Sequence, residues 1–283
     1  MVAISLQVRP AVFADQQQIA SLMYFESRVH RHLDWRAPLD WLGSPHYWVL
    51  ESQGRIQAAL ACPQDPPGIA WVRLFACTAS LSGLDAWSPL WEAARAEIDS
   101  VGGAQVAVIA LQHWFQEILV AAHFDLYQHI VLLEWNHPPF TPREAPRGVS
   151  IRPMSRNDLS SVTEVDNAAF APLWCNSLDS LDRAYSQAIH STVAETDEGV
   201  IGYQISTGNP IGAHLARLAV RPDAQKKGVG AALVSELIAQ MQLRRKPHLT
   251  VNTQGDNSSS LALYKSLGFA LTGEKYPVFV YQV

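Results

Sequence analysis

Apolar residues recur along this chain with two periods, and the switches between them mark its elements. Leu233, Val234, Leu237, Ile238 and Met241 return at steps of three and four, which is one face of a helix. A largely apolar run at 215–220 precedes them and reads as a strand. Between the two lies Gln225-Lys226-Lys227-Gly228-Val229-Gly230. The first half predicts a strand at 4–8, a helix at 15–25, and paired strands at 47–51 and 56–62 about a Ser52-Gln53-Gly54 turn. A loop at 63–68 follows, then a strand at 70–77, a helix at 86–100, a strand at 105–111, a helix at 113–122 and a strand at 128–135. Four prolines from Pro138 to Pro146 extend neither helix nor central strand and mark a linker.

The pattern then repeats. Val8-Arg9-Pro10 returns as Ile151-Arg152-Pro153, and Asp15 as Asp158, at an offset of 143. Leu74-Phe75-Ala76 aligns with Leu218-Ala219-Val220 at 144, and Ala122-His123-Phe124 with Leu267-Gly268-Phe269 at 145. A near-constant offset across separate landmarks indicates an internal duplication. The expected domains are 1–137 and 148–283, joined by the linker 138–147. Alternating strands and helices make each a mixed α/β (α+β) unit.

Composition narrows the function classes. No apolar run reaches the roughly 18 residues that span a bilayer, so no membrane partner is expected. Cys62, Cys77 and Cys175 are odd in number and lack metal-ligand spacing, which fits a cytoplasmic protein. The net charge of −5 resides in residues 1–147, which hold nine arginines, no lysine and fourteen acids. Without a basic face, nucleic acid is not an expected partner. His30 and His32 form an H-x-H pair with no further ligands at helpful spacing, so no metal is expected. The nine tryptophans, mostly in the first half, are expected to fill that half's core.

The glycine turn carries the chemistry. The first N–H groups of a helix lack intrahelical partners, and the dipole makes that end positive, so an anion docks there. Gly228 and Gly230 permit close approach, and Lys226 and Lys227 add charge, which together describe a pyrophosphate cradle. The form Gln-x-x-Gly-x-Gly after Leu218-Ala219-Val220 resembles the acetyl-CoA loop of the GCN5-related N-acetyltransferases. A second segment, from Asn257 through Leu263-Tyr264 to Gly268-Phe269, is similar to that family's Asn-x-x-Ala-x-x-Leu-Tyr-x-x-x-Gly-Phe, with Ser260 where alanine is commoner. The first half departs at both places: Thr78-Ala79-Ser80-Leu81-Ser82-Gly83 has one glycine and no basic residue, and Leu119 stands at the tyrosine position.

The resemblance implies two tandem acetyltransferase domains, as in the mycothiol-synthase type, the first degenerate and the second catalytic. It implies a mostly antiparallel sheet whose fourth and fifth strands splay, with the pantetheine arm entering the splay like an extra strand. Acetyl-CoA is the implied cosubstrate. The main chain around Leu218 would polarise the thioester, Val220 would hold the pantetheine amide, and Gln225, Lys226, Lys227, Gly228, Val229 and Gly230 would hold the pyrophosphate. Asn257 would touch the pantetheine arm, Tyr264 would protonate the departing thiolate, and Asp166, Phe170 and Trp174 would line the acceptor pocket. Asp166, Glu195 and His214 are alternative bases. The expected reaction is acetyl transfer to a primary amine, on a small molecule or a peptide N-terminus, in a monomer of two domains or a homodimer. The alternative is a non-catalytic acetyl-CoA-binding regulator.

Overall fold

The computed structural model describes residues 6–138, 140–246 and 248–283. Positions 4 and 5 of the first expected strand lie outside them. The first half runs β1 (Gln7–Pro10), α1 (Gln16–Phe25), β2 (Arg28–Arg31), β3 (Tyr47–Ser52), β4 (Arg55–Ala61), β5 (Ile69–Trp71), β6 (Leu74–Cys77), α2 (Gly83–Ser100), β7 (Gln105–Ile109), α3 (His113–Ala121) and β8 (Asp125–Trp135). The second runs β9 (Ser150–Pro153), α4 (Leu159–Ala169), α5 (Leu178–Ser186), β10 (His190–Thr196), β11 (Gly199–Gly208), β12 (Gly212–Val220), α6 (Val229–Leu243), β13 (His248–Gln254), α7 (Ser258–Ser266) and β14 (Phe269–Gln282).

Local chemistry sets the limits of these elements. The turn between β3 and β4 is Gln53-Gly54, both left-handed at φ 51° and 76°, which a two-residue hairpin requires. Helix α2 starts three residues before the expected 86 because the Ser82 hydroxyl accepts from the Asp85 N–H at 3.1 Å and caps it. The expected strand at 70–77 divides into β5 and β6, since its two parts pair with different neighbours.

The chain forms two compact units, Met1–Tyr127 with Tyr276–Val283, and Gln128–Lys275. Their limits differ from the expected 1–137 and 148–283, because the closing strand of each half belongs to the other unit. In the first unit the strand order is β1-β3-β4-β6-β2, while β5 pairs in parallel with β7. Strand β7 pairs antiparallel with residues 278–282 of β14. In the second unit β9, β10, β11 and β12 pair antiparallel in that order, β12 runs parallel to β13, and β13 takes residues 130–135 of β8 as its antiparallel neighbour.

The two units repeat each other down to irregularities. A register shift lies between Leu50 and Glu51 in β3 and between Ala194 and Glu195 in β10, an offset of 144. Arg9 donates to Asp15 at 2.7 and 2.8 Å and to Glu51 at 2.7 Å. Arg152 donates to Asp158 at 2.8 Å and to Glu195 at 2.9 Å. The register also shifts one sequence alignment: Ala76 lies opposite Ala59, and Ala219 lies opposite Tyr203, so Phe75 and Cys77 correspond to Leu218 and Val220.

Their interiors differ. In the first unit Trp87 and Phe115 are fully buried, with Trp87 5.1 Å from Phe75 and 5.4 Å from Phe115, which places tryptophan in this core as its abundance suggested. The second unit has an aliphatic core in which Leu215, Val234, Leu237, Ile238, Leu249 and Val251 meet Leu133 and Trp135.

Candidate active site

The site is built where β12 and β13 part. They pair only over Gly212–Leu215 opposite His248–Val251, and among the described residues no strand pairs with 217–220 on that side. The Arg221 N–H donates to Ile201 O at 2.8 Å on β11. Alternation along an antiparallel strand therefore turns Arg217 and Ala219 toward β11, and the main-chain groups of Leu218 and Val220 toward the open edge. The Val220 carbonyl is partly satisfied there by the Gln225 amide at 3.0 Å. The Gln225 side chain thus folds back on the strand, while the expected hold on pyrophosphate is through its main chain.

The connection from β12 to α6 turns through two left-handed residues, Lys226 at φ 59° and Gly228 at φ 93°. Gly228 is the N-cap of α6, no side chain among the described residues caps that end, and Val229 and Gly230 begin the helix. Gln225, Lys226, Lys227 and Gly228 are all exposed. The carboxylate of Asp223 in this connection is paired with Arg221 at 2.6 Å. The two glycines differ. Gly228 is required by its backbone angle, whereas a Cβ at Gly230 would stand 3.4 Å from Leu263 and 3.7 Å from Val220. Both are ordinary contact distances, so a methyl group at 230 would fit between α7 and β12.

Helix α7 brings the other expected residues. Asn257 is its N-cap, accepting from Ser260 N–H at 3.0 Å, with its amide 3.4 Å from Gln254 Oε1. Tyr264 is buried, its ring centroid 5.6 Å from that of Phe269, and it shares an apolar cluster with Leu218 and Leu263. Its hydroxyl has no partner among the described residues. Burial pushes its phenol well above the usual value, so it stays protonated at neutral pH.

Asp166, Phe170 and Trp174 come together around a residue the sequence reading missed, Arg217. The guanidinium donates to Asp166 from Nε at 2.7 Å and from Nη2 at 2.9 Å, and to the Trp174 carbonyl at 2.5 Å. It lies 3.6 Å from the centroid of the Phe170 ring. Asp166 is fully buried and also accepts from the Asn176 N–H at 2.9 Å and from the Tyr203 hydroxyl. Burial, reinforced by the Asp166 charge, raises the Tyr203 phenol well above its ordinary value. A lone arginine inside an otherwise apolar strand was the available signal, since such a charge needs a buried partner.

Of the three alternative bases, two have their carboxylates taken. Asp166 is held as above, and Glu195 belongs to the Arg152 network that the first unit duplicates without any cradle. His214 differs. It sits across from Thr250 where the strands begin to part, with Nδ1 2.8 Å from Thr250 Oγ1. Burial lowers its pKa, leaving it neutral at pH 7, and Nε2 has no partner among the described residues. No helix is long and apolar enough to cross a membrane, and no group of three metal-type side chains occurs, among the described residues.

Residues 159–269 match the model of the acetyltransferase (GNAT) family. The [ribosomal protein bS18]-alanine N-acetyltransferase of Escherichia coli K12 is 40% identical over 57 residues, 20% of this chain and 38% of that protein. The peptidyl-lysine N-acetyltransferase YjaB of Salmonella typhimurium is 33% identical over 82 residues, 29% of this chain and 50% of that protein. The chain thus spans half or less of the length of these relatives. The whole fold is similar to a GCN5-related N-acetyltransferase from Sphaerobacter thermophilus, with TM-score 0.64, 16% identity, and 98% and 95% of the two chains covered. A tandem GNAT protein from the clavulanic acid biosynthesis pathway aligns with TM-score 0.64 and 17% identity over 98% of each chain. Residues 159–269 thus carry the match to the GNAT family model, and the chain as a whole shares the fold of a tandem GNAT protein.

Proposed function

We propose that the second unit is an acetyl-CoA-dependent N-acetyltransferase that transfers the acetyl group to a primary amine, on a small molecule or a peptide N-terminus. The observation that carries this reading is the open edge of β12 at Leu218 and Val220, beside an uncapped helix start with two cationic side chains. A pantetheine arm offers amide groups at a spacing that pairs with such an edge, as a β-strand would. Its pyrophosphate suits the N–H groups of 228–230 and the charges of Lys226 and Lys227. Both relatives named above carry N-acetyltransferase names, which supports the reaction class without fixing the acceptor.

The chemistry follows from the groups at hand. The Leu218 N–H polarises the thioester carbonyl, and His214 Nε2 takes the proton that the amine must lose. The amine nitrogen forms the C–N bond as the C–S bond breaks. Tyr264 gives its proton to the leaving sulfur. Arg217, held by Asp166, fixes Phe170 and Trp174 as the wall of the acceptor pocket.

Calorimetric titration with acetyl-CoA tests this reading. The expected result is one site per chain, lost when Gly228 and Gly230 are replaced by valine, followed by turnover with an amine panel. Absence of binding would remove the proposal. Binding without turnover on any amine would favour the regulator instead.

A further inference from the structure

Among the described residues strand β2 has no counterpart in the second unit, where the stretch at the same offset forms a short 3-10 turn at Pro172–Trp174. It lies antiparallel to β6, with Arg28 opposite Cys77, Val29 opposite Ala76, His30 opposite Phe75 and Arg31 opposite Leu74. The Thr78 N–H donates to Gln57 O at 2.8 Å on β4. By alternation, Ala76 and Leu74 turn toward β4, and the main-chain groups of Phe75 and Cys77 turn toward His30 and Arg28. The His32 N–H continues this pairing to Arg73 O at 3.0 Å. Phe75 and Cys77 are the counterparts of Leu218 and Val220. The groups that face an open edge in the second unit are therefore paired, in the first, by the chain itself.

The ends of this segment complete the likeness. In the first unit the link from strand to helix is 78–82, shorter than 221–228 in the second. On it, the Ala79 N–H donates to the Glu26 carboxylate at 3.0 Å, and the Arg28 guanidinium donates to Leu81 O at 2.6 Å. A carboxylate thus accepts from the main chain of the link whose counterpart is the cationic cradle. At the other end His30 is fully buried, with Nε2 3.1 Å from Val72 O and its ring centroid 4.6 Å from that of Phe115. The segment is anchored by backbone pairing, an acidic contact at the loop and a buried ring.

We infer that residues 26–31 are an internal stand-in for the coenzyme's pantetheine arm, which keeps the first unit's slot filled and leaves one coenzyme edge per chain. The inference rests on the coenzyme reading of the second unit. It also accounts for how the first unit lost its cradle without leaving a bare strand edge, which invites pairing with other chains.

Peptide-resolved amide hydrogen exchange on the full chain tests it. In the free protein the amides of Phe75 and Cys77 are expected to exchange at least about a hundredfold more slowly than those of Leu218 and Val220. Coenzyme A should protect the second pair and leave the first unchanged. Equal exchange of the two pairs, or protection of Phe75 and Cys77 by coenzyme A in the unaltered chain, would overturn the inference. The double variant Glu26→Ala/Arg28→Ala removes both loop anchors and leaves the buried strand in place. It should speed exchange at Phe75 and Cys77, and millimolar pantetheine should slow it again. Faster exchange that pantetheine does not reverse would reduce β2 to an ordinary edge strand. If coenzyme A fails to protect Leu218 and Val220, the coenzyme reading fails and takes the stand-in role with it, while slow exchange at Phe75 and Cys77 still reports the pairing.

Discussion

Single residues carry the sharpest consequences. Gly228 sits at φ 93°, and a Cβ there would meet Pro146 at an ordinary 3.6 Å, so Gly228→Ala meets backbone strain and no steric clash. It should lower stability by roughly 1–2 kcal/mol, readable as a drop in Tm. Tyr264→Phe should reduce kcat about a hundredfold, in line with the loss of a general acid, while calorimetry shows coenzyme affinity unchanged. His214→Gln should abolish the acid limb of the rate profile, which should lie below pH 6.5 because burial lowers the pKa of this imidazole. Asp166→Ala strands the mostly buried Arg217 guanidinium and should cost about 3–5 kcal/mol in urea unfolding. His30 acts on the first unit. Burial lowers its pKa from 6.5 to about 4, so between these values the unfolded chain binds a proton that the folded one refuses. Its contribution is present above pH 6.5 and is lost as pH falls toward 4, an effect of about 3 kcal/mol that His30→Gln should flatten.

Elements differ in how clearly the sequence announced them. Helix α6 was legible because its apolar positions keep a helical period after a glycine start, and α7 carries asparagine in its N-cap position. The cap is separately testable: Asn257→Ala should lower the stability of the second unit by about 1 kcal/mol in thermal unfolding. Strand β2 was not legible. Four residues, Arg28-Val29-His30-Arg31, are too few to show a period of two, and what fixes them is pairing with a strand more than forty positions away. Arg217 was missed for a related reason, since its partner Asp166 lies on another element and neither residue forms part of a local motif. The turn from β12 to α6 was legible as a glycine pattern, whereas the bond from the Gln225 side chain to Val220 O was not.

At the scale of the molecule, the duplication was visible in three landmarks, and the exchange of closing strands was not. Which β-strand pairs with β7 or β13 depends on long-range register, and residues 105–109 would accept residues of either half equally well by pattern alone. The exchange has a measurable result. Removing Tyr276–Val283 takes from the first unit the antiparallel partner of β7 and the buried Phe279, worth about 1.5–3 kcal/mol for that side chain alone. Calorimetry of such a truncation should show the first unit's transition lowered, with the second unit's little moved.

The same exchange bears on how the chain is made and cut. Translation delivers residues 1–127 first, yet their unit stays one strand short until residues 276–283 have left the ribosome, by which time the whole of 128–275 has been synthesised. Folding of the earlier half is therefore timed by completion of the later one. A protease that severs the proline-rich stretch between 138 and 147 yields two fragments, each still holding a strand that the other's unit requires. Such a nick breaks the polypeptide without releasing either piece.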